Sequence, residues 1–348
     1  MPGGGTRTFL EPDHYEASLR DAQIKAIIVS RTQFRARLTW AELHHLQTLR
    51  CEEDCPRVAY LRLAPRLAFV TFPTNSAQLP VWRGMELQAG DIVFHSRGER
   101  LHLLAPRSFA WSVIAIDPAQ LERYSRALTG KPVTPPLERR LLRPSRRDMA
   151  RLRRLHAQVC RLAETKSKML SHPEVARAIE QDLIHALVNC LTTIGARPDG
   201  LGRHHTNIML RFEEILAENL SDAPSMSELC ERVGVSERTL RSCCAESLGM
   251  SPIRYVLLRR LREVHRALRD ADPETVNVAE VAHRFGFAQL ARFAGTYRAI
   301  FGETPANTLQ RSPGTRFSAF CDFFQFLHSR RRNRRFSLTL RASFASST

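Results

Sequence analysis

Three polar side chains at helical spacing carry the strongest chemical signal in this sequence. Arg241 and Ser242 follow Arg238 by three and four residues, so a helix would place all three on one face. A guanidinium can donate two hydrogen bonds to a guanine edge or bind a phosphate, and a hydroxyl can contact either. The pattern predicts a helix face that contacts nucleic acid. The alternative is an exposed face that is only solvated.

The flanking residues predict how this helix is held. Ser225 and Glu228 have the spacing of a capping box at the start of a short helix. Gly234 suits a turn that requires positive φ, and Ser236 suits the N-cap of the next helix. Residues 226–248 therefore predict a helix-turn-helix unit, whose second helix can enter a DNA major groove.

A second helix-turn-helix unit is predicted over 278–301, with its turn at Gly286. Its candidate DNA contacts are Gln289 and Arg292, and Arg298 could reach a phosphate. The other exposed positions near its second helix are poor base readers, namely Leu290, Ala291, Ala294 and Gly295. We therefore expect the first unit to read sequence and the second mainly to hold the DNA backbone, because phosphate contacts position a protein without specifying bases.

Residues 207–309 resemble the AraC/XylS family of transcriptional regulators. The matching motifs are Gly234 to Leu240, Leu248 to Tyr255, Arg260-Leu261, Val281-Ala282, Gly286-Phe287 and Phe301 to Pro305. The resemblance implies a seven-helix DNA-binding domain fused to a domain that senses a ligand or dimerises, usually in an activator. Arg238, Arg241 and Ser242 match the positions from which family members reach base edges. Ala288 departs from the family, since it replaces a polar cap.

The N-terminal half predicts a β-rich domain, because residues 24–117 alternate short β-prone runs with turn residues. The expected fold class is α+β, with a small antiparallel barrel or sandwich that the resemblance identifies as cupin-like. Amphipathic helices over Arg146–Lys168 and Pro173–Ile194 could form a homodimer interface or pack on the barrel. The expected divisions are an effector-sensing or dimerisation domain over 1–195, a linker over 196–205, the DNA-binding domain over 206–311 and a basic, disordered tail over 312–348.

Six side chains of the N-terminal half could line an effector pocket: Trp82, His95, Arg97, Arg100, His102 and Trp111. The arginines would favour an anionic ligand, although solvated surface arginines are the alternative. His95, Glu99 and His102 could together hold a transition metal. Cupin enzymes supply a tighter histidine cluster, so we expect no metal, no cofactor and no enzymatic activity.

Bulk composition adds weaker constraints. The net charge is +17, which suggests a polyanionic partner, yet residues 203–312 hold 15 arginines against 14 acidic residues. The eight cysteines are scattered, which is typical of reduced thiols. The chain starts without an apolar signal segment and has no run of 18 apolar residues, so we expect a cytoplasmic protein that does not contact a membrane.

These observations together predict a sequence-specific transcription regulator that binds double-stranded promoter DNA. Its expected partners are RNA polymerase, a small-molecule effector and a second copy of the chain. Two alternatives stay open at this point. One is a cupin-type metalloenzyme centred on His95, and the other is a non-specific nucleic-acid-binding protein that uses the arginine-rich tail.

Overall fold

The computed structural model describes residues 2–28, 34–74, 80–82, 85–105, 107–138, 140–192, 196–197, 203–218 and 224–311. The strands within these ranges are β1 Gly3–Phe9, β2 Ala22–Ile28, β3 Ala36–Glu42, β4 Leu46–Glu53, β5 Arg57–Leu63, β6 Ala68–Pro73, β7 Val81–Trp82, β8 Met85–Glu86, β9 Ile92–Phe94, β10 Arg100–Ala105, β11 Phe109–Ile116, β12 Arg140–Leu142 and β13 Ala196–Arg197. The helices are α1 Pro12–Ser18, α2 Pro118–Thr129, α3 Arg146–Thr165, α4 Ser167–Leu170, α5 Pro173–Leu191, α6 Arg203–Glu218, α7 Met226–Val233, α8 Glu237–Leu248, α9 Pro252–Asp270, α10 Val278–Arg284, α11 Leu290–Phe301 and α12 Pro305–Gln310.

The strands form two antiparallel sheets. Sheet A has the order β1-β3-β4-β11-β6-β9-β12-β13, and sheet B has the order β2-β5-β10-β7-β8. A shared apolar core lies between them, and no ladder joins the two sheets within the described ranges. The α+β class is confirmed, and of the two predicted forms of the N-terminal half the structure has the sandwich.

Strand β11 shows how sheet A separates two cores. Successive side chains of a strand point to opposite faces. Trp111, Val113 and Ala115 therefore face sheet B, whereas Ile114 and Ile116 pack with the apolar side chains of α2, α3 and α5. The helices that follow the strands in the chain thus cover the outer face of sheet A.

The outer face of sheet B is covered by the C-terminal helices. Ile27 and Val58 are buried in one apolar cluster with Phe212 of α6 and Leu248 of α8, and Leu104 packs against the same cluster. The interior of the sandwich therefore lies on one side of sheet B, and the helix-turn-helix region lies on the other side.

Seven helices, α6 to α12, lie in the C-terminal part of the described chain, the number that the family resemblance implies. The Ser225–Glu228 capping box is present, and the Ser236 hydroxyl accepts a hydrogen bond from the Thr239 amide at 3.2 Å. Gly234 has a φ of 78°, so the turn takes a conformation that side chains with a Cβ rarely adopt.

The elements near the predicted boundaries differ in detail from the sequence expectation. Helix α6 starts at Arg203, inside the predicted linker, and residues 196–197 pair with β12. Lys166 interrupts the first of the two predicted long helices, so α3 ends at Thr165 and the short α4 follows. The sequence reasoning did not predict β1, α1 or α2. The basic tail over 312–348 lies outside the described residues.

Candidate functional site

The first helix-turn-helix unit presents its polar residues on the outer face of α8. Arg238, Arg241 and Ser242 are exposed, while Leu240, Cys243 and Cys244 on the opposite face are buried. Arg241 pairs with Glu237, with Nη2 2.6 Å from Oε1, and the Ser242 hydroxyl donates to Glu246 at 2.9 Å. Exposed pairs of this kind contribute little stability, so an incoming polar group can displace the carboxylates.

The second unit presents fewer polar groups. Gln289 is the N-cap residue of α11 and makes no side-chain cap bond. Arg292 and Arg298 are exposed, and Phe293 and Tyr297 anchor the buried face of the helix. The exposed start of α11 includes Leu290, 38% exposed, whose side chain has no hydrogen-bonding group.

Arg260 of α9 fixes the turn of the second unit. Its Nε and Nη2 both donate to the carbonyl oxygen of Phe285, at 2.9 and 2.6 Å. The same guanidinium lies over the Phe287 ring, 4.3 Å from its centroid, where the ring face attracts a cation. Arg260 is therefore a helix-pairing residue.

A cavity of about 360 Å³ lies between the two sheets. Its walls are mainly apolar and aromatic, and Trp82, His95 and Trp111 are among the lining residues. His95 Nε2 lies 3.0 Å from Thr71 Oγ1, and His95 Nδ1 lies 2.9 Å from Glu99 Oε2. Trp82 is 5% exposed, and its Nε1 has no hydrogen-bond partner within the described ranges.

A buried polar cluster joins sheet B to the C-terminal helices. Glu213 of α6 accepts a hydrogen bond from the Tyr255 hydroxyl at 2.5 Å and pairs with Arg259, both on α9. Its Oε1 also lies 2.8 Å from His102 Nε2 of β10. Burial by itself would raise the pKa of Glu213, but the hydrogen bond from His102 and the charges of His102 and Arg259 lower it to about 2.

Comparison with known proteins places the C-terminal region in a family. A model described as a helix-turn-helix domain matches residues 229–311. The chain is 36% identical over 161 residues to the probable thc operon regulatory protein of Rhodococcus erythropolis, covering 44% of this chain and 48% of that protein. It is 33% identical over 101 residues to the XylDLEGF operon transcriptional activator of Pseudomonas putida, covering 29% of this chain and 32% of that protein. The chain belongs to the AraC/XylS family.

A solved structure of a probable AraC family transcriptional regulator from Rhodopseudomonas palustris is 33% identical and covers 30% of this chain and 96% of that one, with a TM-score of 0.28. This chain spans less than half the length of the two curated relatives.

Three of the predicted pocket residues lie outside the cavity. Arg97 is exposed at the turn before β10. Arg100 pairs with Glu214 of α6 at 2.7 Å, and His102 contacts Glu213. Strand alternation explains the difference, because Leu101 and Leu103 point into the sandwich while Arg100 and His102 point away from it. Arg97 and Arg100, which suggested an anionic effector, therefore do not line the cavity, whereas Arg7 and Arg20 do.

The same alternation separates the residues proposed as a metal site. His95 and Glu99 contact each other, but His102 is engaged on the other face of sheet B. The part of the chain that the structure describes contains no group of three potential metal ligands. Glu213 was not predicted to be a buried polar residue, although Met209, Phe212 and Leu216 form an apolar helical stripe around it. An acidic residue on such a stripe predicts a buried partner.

Proposed function

We propose that this AraC/XylS family member is a sequence-specific DNA-binding regulator that activates transcription. The exposed polar face of α8 supports this proposal most directly, because a capped helix and a glycine turn hold Arg238, Arg241 and Ser242 where a major groove can accept them. The second unit supplies Gln289, Arg292 and Arg298 for contacts along the same DNA. Activation would require RNA polymerase as a partner. The protein would act as a homodimer in the cytoplasm and would have no catalytic role. Among the described helices, none is long and apolar enough to cross a membrane.

Binding of the full chain to DNA upstream of its own gene and neighbouring genes tests this proposal. The measurement is a titration at several salt concentrations with a scrambled DNA competitor. A regulator keeps a specific complex in the presence of competitor, whereas a non-specific nucleic-acid-binding protein loses it at every salt concentration. Arg266→Ala is a matched control, because Arg266 is exposed on α9 between the two units.

We further propose that the cavity between the sheets binds the effector. The mainly apolar and aromatic lining supports a small ligand with an apolar body, and the unpartnered Trp82 Nε1 supports one hydrogen-bond acceptor on that ligand. Trp82, His95 and Trp111 would contact it, while Arg97, Arg100 and His102 would not. Ligand pockets commonly have mostly apolar walls with a few polar groups, because the polar groups orient the ligand.

Two probes of similar shape test the ligand class. 2-Acetylnaphthalene carries a carbonyl acceptor, and 2-ethylnaphthalene does not. The native protein should bind the ketone about ten-fold more tightly, as expected for one hydrogen bond to a buried donor, and Trp82→Phe should remove that preference. Equal binding of both probes by the native protein would contradict the assigned role of Trp82.

A further inference from the structure

Three buried polar side chains form a hydrogen-bonded chain inside the sandwich. Thr71 belongs to β6, His95 directly follows β9, and Glu99 directly precedes β10. His95 joins the other two, because its Nδ1 lies 2.9 Å from Glu99 Oε2 and its Nε2 lies 3.0 Å from Thr71 Oγ1. Buried polar groups require such partners, so the chain could serve the fold alone or could also contact a ligand.

Thr71 and His95 face the cavity, whereas Glu99 lies behind them. The neighbouring Val70 and Phe72 pack on the helix side of sheet A, so the alternation of β6 turns Thr71 toward sheet B. Thr71 and His95 both line the cavity, and Glu99 is not among its lining residues. A ligand in the cavity can therefore reach the hydroxyl at one end of the chain, while the carboxylate at the other end does not border the space that the ligand would fill.

The Glu99 carboxylate sets the direction of the two hydrogen bonds. An ionised carboxylate accepts hydrogen bonds and cannot donate them, and Glu99 Oε2 also accepts from the Ser96 amide at 3.3 Å. His95 Nδ1 must therefore carry a proton, which leaves Nε2 of the neutral ring as an acceptor. Because Nε2 contacts Thr71 Oγ1, the Thr71 hydroxyl donates its single hydrogen to His95.

This direction leaves Thr71 with nothing to donate to a ligand. Its oxygen still has acceptor capacity, because a hydroxyl has one hydrogen and two lone pairs. A ligand oxygen without a hydrogen, such as that of an ether or a carboxylate, would meet these lone pairs unfavourably. A ligand hydroxyl or N–H group would instead donate to Thr71.

We propose that Thr71 Oγ1 accepts a hydrogen bond from the effector, whose polar end therefore carries a hydroxyl or an N–H group. The Trp82 ring lies against His95, with 4.9 Å between the ring centroids, so this donor and the acceptor proposed for Trp82 Nε1 belong to the same end of the ligand. An alcohol, a phenol or a primary amide has both. The proposal rests on the proposed effector role of the cavity and narrows the ligand class to groups that donate as well as accept.

Two isomers with the same atoms test this assignment. 2-Naphthalenemethanol and 2-methoxynaphthalene each carry one acceptor oxygen, but only the alcohol has a hydrogen to donate. Calorimetric titration of the full chain should show about ten-fold tighter binding of the alcohol, as expected for one hydrogen bond to a buried acceptor. Equal binding of the two isomers would overturn the proposal, and so would tighter binding of the ether, because Thr71 would then donate to the ligand.

Substitutions at Thr71 separate the hydrogen bond from the shape of the cavity. Thr71→Val has nearly the same shape without the hydroxyl, so the ratio of alcohol affinity to ether affinity should fall by about ten-fold. Thr71→Ser should keep the native ratio. Thr48→Val is the matched control, because Thr48 is a buried threonine of β4 that does not line the cavity and that donates to the Val113 carbonyl. A native ratio in Thr71→Val would contradict the proposal.

The positioning role of His95 has a separate readout. His95→Phe keeps a ring against Trp82 but removes the acceptor at Nε2, so the Thr71 hydroxyl becomes free to donate to the ether. The ratio of alcohol affinity to ether affinity should then fall by about five-fold, because the ether gains one hydrogen bond. A histidine with a merely structural role would instead weaken the binding of both isomers alike, and that result would overturn the assigned direction.

The native titration distinguishes failure of this proposal from failure of the function on which it rests. If neither isomer binds, the effector role of the cavity fails and the assignment to Thr71 fails with it. If both isomers bind equally, only the assignment to Thr71 fails. No DNA is present in the measurement, so neither result bears on the proposed DNA-binding function.

Discussion

His102 Nε2 and Glu213 Oε1 lie 2.8 Å apart, although 111 positions separate the two residues in the chain. Both side chains are buried, and the contact joins strand β10 to helix α6. Arg259 and Tyr255 complete the cluster from α9. The N-terminal sheets and the C-terminal helices are therefore held together by a charged group inside their interface as well as by apolar packing.

Removal of the Glu213 carboxylate should destabilise the protein strongly. Glu213→Ala leaves the buried Arg259 and His102 without their partner, and breaking a buried pair on one side costs about 3–5 kcal/mol. The neighbouring Glu214→Ala is the control, because Glu214 is 51% exposed in its pair with Arg100 and should cost less than about 1 kcal/mol. Urea unfolding of the full chain measures both, and equal losses would show that the buried cluster adds no more stability than a surface pair.

The two helix-turn-helix units should differ in how they affect base preference. Arg238→Ala and Arg241→Ala should each weaken binding by about 1–3 kcal/mol, chiefly on the specific DNA site. Arg292→Ala should weaken binding on all DNA sequences to a similar extent and lower the salt dependence. Titration of a specific and a scrambled fragment measures both effects. A change of base preference in Arg292→Ala as sharp as in Arg241→Ala would contradict this division.

Arg260→Met should destabilise the second unit while keeping the apolar stem of the side chain. The substitution removes both donors to the Phe285 carbonyl and the cation over Phe287, a loss of about 1–3 kcal/mol. Arg260→Lys should recover only part of this loss, because an ammonium cannot reproduce the two-pronged geometry. Arg266→Met on the exposed face of α9 controls for the loss of an arginine, and chemical denaturation compares the three variants.

Stability should fall with acid because of His265. Its Nδ1 lies 2.7 Å from the Tyr297 hydroxyl and its ring stacks on Phe301. Burial, with repulsion from Arg269, lowers the pKa of His265 to about 4 from the ordinary 6.5. Between these values the unfolded chain binds a proton that the folded chain does not, so the free energy of unfolding rises with pH from about 4 to about 6.5 and then levels off. His265→Gln should make this part of the thermal-stability profile less steep, because His156, whose pKa burial also lowers to about 4, keeps its own contribution. The exposed His283→Gln should leave the profile unchanged.

The helix-turn-helix units could be predicted from the sequence because their signals are local. The capping box at Ser225, the glycine at 234 and the cap at Ser236 each act within a few residues. The alternation of apolar and polar residues at helical spacing likewise gives the exposed positions of Arg238 and Arg241. No contact from a distant part of the chain is needed for any of these features.

The cavity and the link between the two halves could not be predicted in the same way. Strand alternation places Arg100 and His102 on one face of β10, but only the packing of α6 against that face shows that they meet Glu214 and Glu213. Helix α1 carries no strong helical pattern, and its ion pairs reach residues of α9 about 250 positions away. The sequence by itself determined the two helix-turn-helix units, since local hydrogen bonds and spacing define them. Tertiary structure decided which residues line the cavity and which join the sandwich to those units, since that depends on which faces of distant elements are buried together.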